Sequence, residues 1–382
     1  MQLTHYSPTS LKLPTDCQLL REFHDRRTHL PGKPLLTEQD YAHYETHTVF
    51  NDVFLHASDG YLGAIGPPLV NLRSALLPLK LRVEGVAKPL KHRLIKQDRV
   101  TFHRFTLPRS LHETKSLRFS CEFKNGLELK GTATRQCLPR VKLQFVTLQK
   151  NNPVHWIIDW LRYSRSLGVE RVLLYDNGSD NRDSLATALK ASNDLPQVIL
   201  IDWPFPYGPG HSRYNQFCQA SQNNHAHQCF AAADWVGHFD VDEYLVTEQD
   251  QSLSDLLNQA SARTALLRFD SYWVPNLDPD LRLTADERAA TVRDFPYRER
   301  QPRGKAHKYI VRQAKLRMAN THNARVRLGY RRMAVPIEQG AFLHYKSLTN
   351  RWKGPRGQAE TMNARQHLSD DRVIRRMQLL GK

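Results

Sequence analysis

The chain has 382 residues, 40% of them hydrophobic and 24% charged, with 55 Lys and Arg against 38 Asp and Glu for a formal charge of +17. That length allows one large domain or two smaller ones, each with its own core, and that composition excludes wholesale disorder. No apolar run nears the roughly 20 residues that span a bilayer, no secretory h-region opens the chain, and the five cysteines (17, 121, 137, 218 and 229) form no CxxC pair. A disulfide scaffold and a zinc ribbon are thereby disfavoured, and a reducing, cytoplasmic setting is expected.

Residues 1–75 are Pro-punctuated and show few periodic runs. From Leu77 to Leu138 the pattern turns to short alternating segments, "LKLRVEGV", "RVTFHRFTL", "SLRFSCEF" and "LELKGTATRQC", divided by turn-like "KPLK", "LPRS" and "KNG". Period-2 alternation at this spacing predicts an antiparallel sheet in a small sandwich, with Pro139 as its boundary. Beyond it strands and helices alternate. "VKLQFVTL" (141–148) reads as a buried strand, and "NPVHWIIDWLRYSRSLG" as a helix with Asn152 as cap, Pro153 in its first turn and Gly168 at its end. "RVLLYD" (171–176), "SLATALKA", "QVILIDW" (197–203), a helix starting at "RYNQFCQAS" and the strand "WVGHFD" follow. Such alternation predicts an α/β, Rossmann-like domain with a mainly parallel sheet, beside a smaller β-rich N-terminal region.

In open parallel sheets, ligands bind beyond the carboxyl ends of the strands. Asp176, Asp202 and Asp240 each end a predicted strand, and the loop "YDNGSDN" after the second offers turn-forming donors for a ribose or base. "WVGHFDVDEYLV" (235–246) puts Asp240, Asp242 and Glu243 at the end of an apolar run. If the backbone stays extended there, residues 240 and 242 project to one side and converge on a hard divalent cation, Mg²⁺ or Mn²⁺, which in turn carries phosphate oxygens. From Arg293 to Lys353 there are 16 Lys or Arg against Asp294, Glu299 and Glu338, a surplus of 13 that would complement a diphosphate or another polyanion.

The order "HWIIDWLRYSRSLGV…VLLYDNGSDN", "WPF", "RYNQFC" and "WVGHFDVDEYLV" resembles the pattern of glycosyltransferase family 92 and the related family-2-like domains, over roughly Val141 to Lys353. The resemblance implies a GT-A catalytic domain over 140–355, after an N-terminal region (1–139) whose β module spans about 77–138 and before a basic, helical tail (356–382). It implies a metal-dependent glycosyltransferase that moves a sugar from a nucleotide-sugar donor, a UDP-sugar, to a glycan or lipid-linked saccharide, with inversion. Asp240 and Asp242 would hold Mn²⁺ or Mg²⁺, with Glu243 shaping the loop. Asp176, Asn177 and Ser179, together with Tyr214 and Asn215, would lie near the nucleotide. A C-terminal histidine often completes such sites: His344 is preferred, because Lys346, Arg351 and Lys353 follow it, and His322 is the second candidate. Lys308, Lys346 and Lys353 are expected at the diphosphate, and Asp270, which ends the apolar run "TALLRF", as the base on the acceptor hydroxyl.

The chain departs from that pattern in places. "KNN" (150–152) stands where the family usually has KNE, and "FDSYWVPNLDPD" (269–280) replaces a Gly-rich segment. The anchor that opens animal members is absent, which points to a bacterial-type cytoplasmic enzyme, with peripheral contact at the inner face of the membrane. Two other readings compete: a metal-dependent phosphodiesterase or nuclease using the same acids, and a non-enzymatic polyanion-binding protein. No nucleic-acid-binding motif is present, which counts against nucleic acid as a partner.

Overall fold

The computed structural model describes residues 3–22, 42–96, 99–208, 217–248, 252–278, 281, 290–348 and 359–380. The chain divides into two compact units: Met1–Tyr6, Arg140–Ile201 and Ala233–Lys382 form one, and Ser7–Pro139 with Asp202–Ala232 the other.

The first unit is built on a ten-stranded sheet. Its strands are β1 (Leu3–Tyr6), β2 (Val141–Gln149), β3 (Arg171–Asp176), β4 (Gln197–Asp202), β5 (Ala233–His238), β6 (Glu243–Thr247), β7 (Thr264–Trp273) and β8 (Arg303–Arg312). After the small ladder of β9 (Leu316–Ala319) and β10 (Ala324–Val326) come β11 (Arg331–Ala334) and β12 (Gly340–His344). The order across the sheet is β1-β4-β3-β2-β5-β8-β7-β12-β6, with β11 beside β7. β2 runs parallel to both β3 and β5, and β1 runs parallel to β4. β8 is antiparallel to β5 and β7, and β6 is antiparallel to β12. This is the mixed α/β class expected, parallel on the side that carries the strand-end acids.

Its segments follow from local chemistry. β3 is buried at every position, as a parallel strand covered on both faces should be. Helix α1 (Val154–Ser166) buries Trp156, Ile157, Trp160, Leu161 and Ser164, a stripe at helical spacing. Full burial of a side chain such as Leu161 contributes about 1.5–3 kcal/mol. Gly168, at φ +89°, ends the helix in the left-handed region that a Cβ disfavours. Asn152 was expected to cap this helix, but Pro153 is the N-cap residue and no side-chain cap forms. The Asn152 carbonyl instead accepts Asn181 Nδ2 at 2.9 Å, joining two loops. Helix α2 (Arg182–Ala191) follows β3.

In the second unit two antiparallel sheets share one apolar core. One runs Asp52–Leu55, Tyr61–Gly66, Thr101–Thr106, Lys91–Lys96; the other runs Glu128–Thr134, Ser116–Glu122, Lys80–Val83. Leu62, Ala64 and Phe105 from the first meet Leu81, Phe119 and Cys121 from the second. The N-terminal third is less irregular than its composition suggests. The strands Asp52–Leu55 and Tyr61–Gly66 are buried throughout, so they lack the alternation by which half-exposed strands are read. Helix α3 (Phe217–Cys229) also belongs to this unit.

Two further helices belong to the first unit. α4 (Leu253–Gln259) starts on a capping box in which Ser252 accepts from Asp255 N. α5 (Arg372–Leu380) buries Val373 and Met377, which gives the basic tail a helix packed on its own unit. No helix among the described residues is long and apolar enough to cross a membrane.

Candidate active site

The acidic motif sits where β5 gives way to β6. The backbone does not stay extended through it: β5 stops at His238, and a turn follows in which Glu243 N donates to Asp240 O at 3.0 Å. The extended geometry expected there is therefore replaced by a turn, which still gathers the acids. Asp242 is buried and Asp240 half-exposed, so the two carboxylates take different surroundings. The start of β6 is held from behind by α1, since Trp160 Nε1 donates to Glu243 O at 3.0 Å and Tyr163 Oη to Leu245 O at 2.7 Å.

Lys308, on β8, is committed to these acids. Its Nζ lies 2.7 Å from Asp240 Oδ2 and 2.9 Å from Glu243 Oε2. Burial alone would lower the Lys308 pKa, but the two carboxylates outweigh it and hold the ammonium charged. Burial raises Glu243 to about 7 against the pull of Lys308, with Asp240 pushing the same way as burial. Glu243 Oε2 also accepts Asp240 N at 2.9 Å. Lys308 was expected at a diphosphate; the structure makes it the internal counter-ion of the motif.

His344 closes the other side. Pairing of β6 with β12 sets it opposite Glu243, and its Nε2 lies 3.4 Å from Asp242 Oδ2. Burial would depress its pKa, yet the charge and hydrogen bond of Asp242 overcome that and raise it. Its Nδ1 is buried and has no hydrogen-bond partner among the described residues. Oxygen and nitrogen donors of Asp242, Glu243 and His344 all fall within 4.8 Å of one another. Two ligands of one cation with bonds of about 2.1 Å stand roughly 3.0–3.4 Å apart, so the Asp242–His344 spacing fits a shared ion. His322 comes to the same neighbourhood: its Nδ1 lies 3.2 Å from His307 O, and although the residue is exposed, partial desolvation and then the nearby Lys308 charge lower its pKa.

A second cluster, Asp52, His225 and Cys229, gathers in the other unit. There His225 Nε2 is 2.7 Å from Asp52 Oδ2, both side chains fully buried. That is a direct hydrogen bond, closer than two donors sharing an ion, so the group reads as an internal tie.

The strand-end loops of β2 and β3 are knitted together. Gln149 Nε2 donates to Asp176 Oδ1 and, at 2.9 Å, to Ser179 Oγ; Ser179 N donates to Asp176 Oδ2 at 3.1 Å, and Asn151 N to Ser179 Oγ at 2.9 Å. Asp176 and Ser179, expected at the nucleotide, thus spend their polar atoms fixing the loop. Asn177 is buried beside them, with its N–H on Gln149 O at 2.8 Å. Gln149 went unread in the sequence, although a polar residue ending a buried strand is the same signal that exposed Asp240.

Asp270 is not brought to the acids. Its Oδ1 lies 2.7 Å from His307 Nδ1, next to Lys308 on β8. Successive side chains of a strand leave opposite faces, so the Asp270–His307 pair and the Lys308 cluster lie on opposite sides of β8. Tyr214, Asn215, Arg351 and Lys353 lie outside the described residues, as does the side chain of Lys346, which sits in a short 3₁₀ turn.

The family model of glycosyltransferase family 92 matches residues 147–378. Two plant proteins named as members are similar: one from Ricinus communis, 27% identical over 51% of this chain and 33% of its own length, and one from Oryza sativa subsp. japonica, 27% identical over 29% and 18%. The chain thus spans about a third or less of these curated relatives. Among solved structures, glucosyl-3-phosphoglycerate synthase from Mycobacterium tuberculosis aligns at 15% identity over 46% of this chain and 57% of that one, with a TM-score of 0.25.

Proposed function

The chain belongs to glycosyltransferase family 92, and from that premise we propose that it moves a sugar from a nucleotide-sugar donor, a UDP-sugar, to a glycan or lipid-linked saccharide, with inversion at the anomeric carbon. The observation that carries this reading is the meeting of Asp242, Glu243 and His344 beyond the strand ends, with Lys308 balancing the acids from beneath. Asp242 and His344 would hold a divalent cation, Mn²⁺ or Mg²⁺, and Glu243 would stand behind them. Bound there, the cation would supply positive charge to the diphosphate leaving group.

The remaining work falls to the chain's own groups. Lys308 fixes Asp240 and Glu243 without entering the donor space, because its ammonium is buried between them. Asp240 stays half-exposed and accepts from Lys308 Nζ, and its exposed part would be open to a substrate donor. The knitted loops at 149–152 and 176–181 give a preorganised wall for the nucleoside, with Asn177 inside it. Such rigidity lowers the ordering cost of binding. We place the enzyme in the cytoplasm, a setting supported by the absence of disulfides among its five cysteines.

A thermal-shift panel of nucleotide sugars, with and without Mn²⁺, tests the reading. One nucleotide family should stabilise the protein only when the metal is present, and Asp242→Ala should abolish the effect. No shift with any donor, or an undiminished shift in Asp242→Ala, overturns it. Hydrolysis of phosphodiesters without a nucleotide-sugar requirement would favour the competing enzyme reading.

A further inference from the structure

Between Glu299 and Glu338 the sequence contains no acid, and Gln313–Ala334 carries Lys315, Arg317, Arg325, Arg327, Arg331 and Arg332. β9 and β10 form a small hairpin here, and the turn Arg327–Tyr330 leads into β11. Leu328, at the tip of that turn, is fully exposed at 101%. Arg325 and Arg327 before it and Arg331, Arg332 and Met333 after it are exposed as well.

The tip is built and braced. Gly329 takes φ +84°, which lets the chain reverse, and Tyr330 N donates to Arg327 O at 3.3 Å. Lys315 Nζ donates to Tyr330 Oη at 2.6 Å and lies 4.4 Å from the ring centroid. Arg327 N and Arg331 N donate to Lys315 O and Arg263 O at 2.9 and 2.8 Å. A fixed turn therefore presents an exposed apolar side chain among exposed arginines, while Arg332 Nη1 donates to Asn323 Oδ1 at 3.1 Å, back at the hairpin's other turn.

A lone exposed leucine is ordinary, and a lone basic surface is ordinary too. Their combination on one braced turn is selective. A soluble polyanion would be served by the arginines and gains nothing from Leu328, whereas a bilayer interface takes both the apolar tip and the charges. We propose that the Arg327–Tyr330 turn docks the protein on an anionic bilayer surface, with Leu328 entering the headgroup boundary and Arg325, Arg327 and Arg331 facing lipid phosphates. His322, at the opposite turn of the hairpin, is six residues from Leu328, and six extended residues span at most roughly 20 Å. Docking would therefore keep His322, whose electrostatic neighbours include Asp240, Lys308 and His344, within that reach of the surface. This last consequence rests on the transferase reading; the docking itself does not.

Co-sedimentation of the full chain with vesicles of phosphatidylcholine alone, or with 40 mol% phosphatidylglycerol (on the order of a strongly anionic leaflet), tests it without donor, metal or turnover. Binding is expected to the anionic vesicles only and to weaken with salt. Each arginine near such a surface contributes about fivefold in partition (about 1 kcal/mol), so Arg327→Gln/Arg331→Gln should weaken it about 25-fold. Leu328→Ser should weaken it about tenfold. Thermal midpoints should match the wild type, since these side chains are exposed. Equal binding to both vesicles, no binding, or unchanged binding by either variant overturns the proposal. So does loss in the arginine variant alone with equal competition by dextran sulfate, which would mark a polyanion surface.

Discussion

Replacing Lys308 with methionine keeps most of the side chain's volume and removes its charge. In the wild type the lysine side chain is 2% exposed and that of Glu243 is 3% exposed, while Asp240 is 36% exposed. Removing one member of a buried ion pair costs about 3–5 kcal/mol, because the partner is left charged and desolvated. Solvent takes over part of the Asp240 charge, so the lower end, about 3 kcal/mol, is expected. The cost also depends on pH through Glu243. Its folded pKa, about 7, already lies above its unfolded value. Stability linked to Glu243 is therefore complete below the unfolded value and is lost as pH rises through the folded one. Without Lys308 the folded pKa climbs further, so the loss extends to higher pH in the variant than in the wild type. Thermal unfolding in EDTA at pH 5.5 and pH 8 reads both effects. At about 2–4 °C per kcal/mol for a large domain, the midpoint should fall by about 6–12 °C at pH 8, and by clearly less at pH 5.5. A deficit under about 1 kcal/mol at pH 8, or one equal at both pH values, would refute the view that Lys308 neutralises the buried glutamate.

Two further outcomes follow from the same geometry. Asp270→Asn should keep turnover within about tenfold of wild type, since loss of a general base costs roughly 100-fold or more; a loss of that size would return Asp270 to the chemistry. At Gly237, one residue before the end of β5, an added Cβ would stand 2.7 Å from Phe145 Cε1 and 3.1 Å from Phe239 Cε2. Gly237→Ala should therefore cost about 1–3 kcal/mol in urea unfolding, and a neutral result would show that the aromatic pair yields freely.

Much of this fold could be read from local pattern. The strands of the parallel half and helices α1 and α2 announce themselves because each spans a full period of burial. Asp240 and Asp242 stand out because charge at the end of a buried run needs a partner. His344 was preferred for the basic residues that follow it, whereas what sets it beside Asp242 and Glu243 is the register of β6 against β12, which local pattern does not contain. Lys308 illustrates the other limit: a basic residue in a basic segment looks like a phosphate contact until the sheet order puts β8 beside β5. Asp176 and Ser179 were legible as a polar strand-end loop. That the loop bonds to Gln149 and Asn151, leaving fewer groups for a ligand, depends on β2 and β3 ending side by side. Strands buried on both faces in the N-terminal third were missed because they show no alternation.

The placement of β1 has a consequence in time. Leu3 pairs with Val198 at the edge of the large sheet. At about 5–20 residues per second of synthesis, the first strand leaves the ribosome roughly 10–40 s before its partner exists. During that interval Leu3–Tyr6 lacks its sheet partner, and this edge of the sheet can close only after the intervening chain has been made. A fragment starting at Arg140 would never receive it, and would carry the bare backbone of β4 as a template for pairing between molecules.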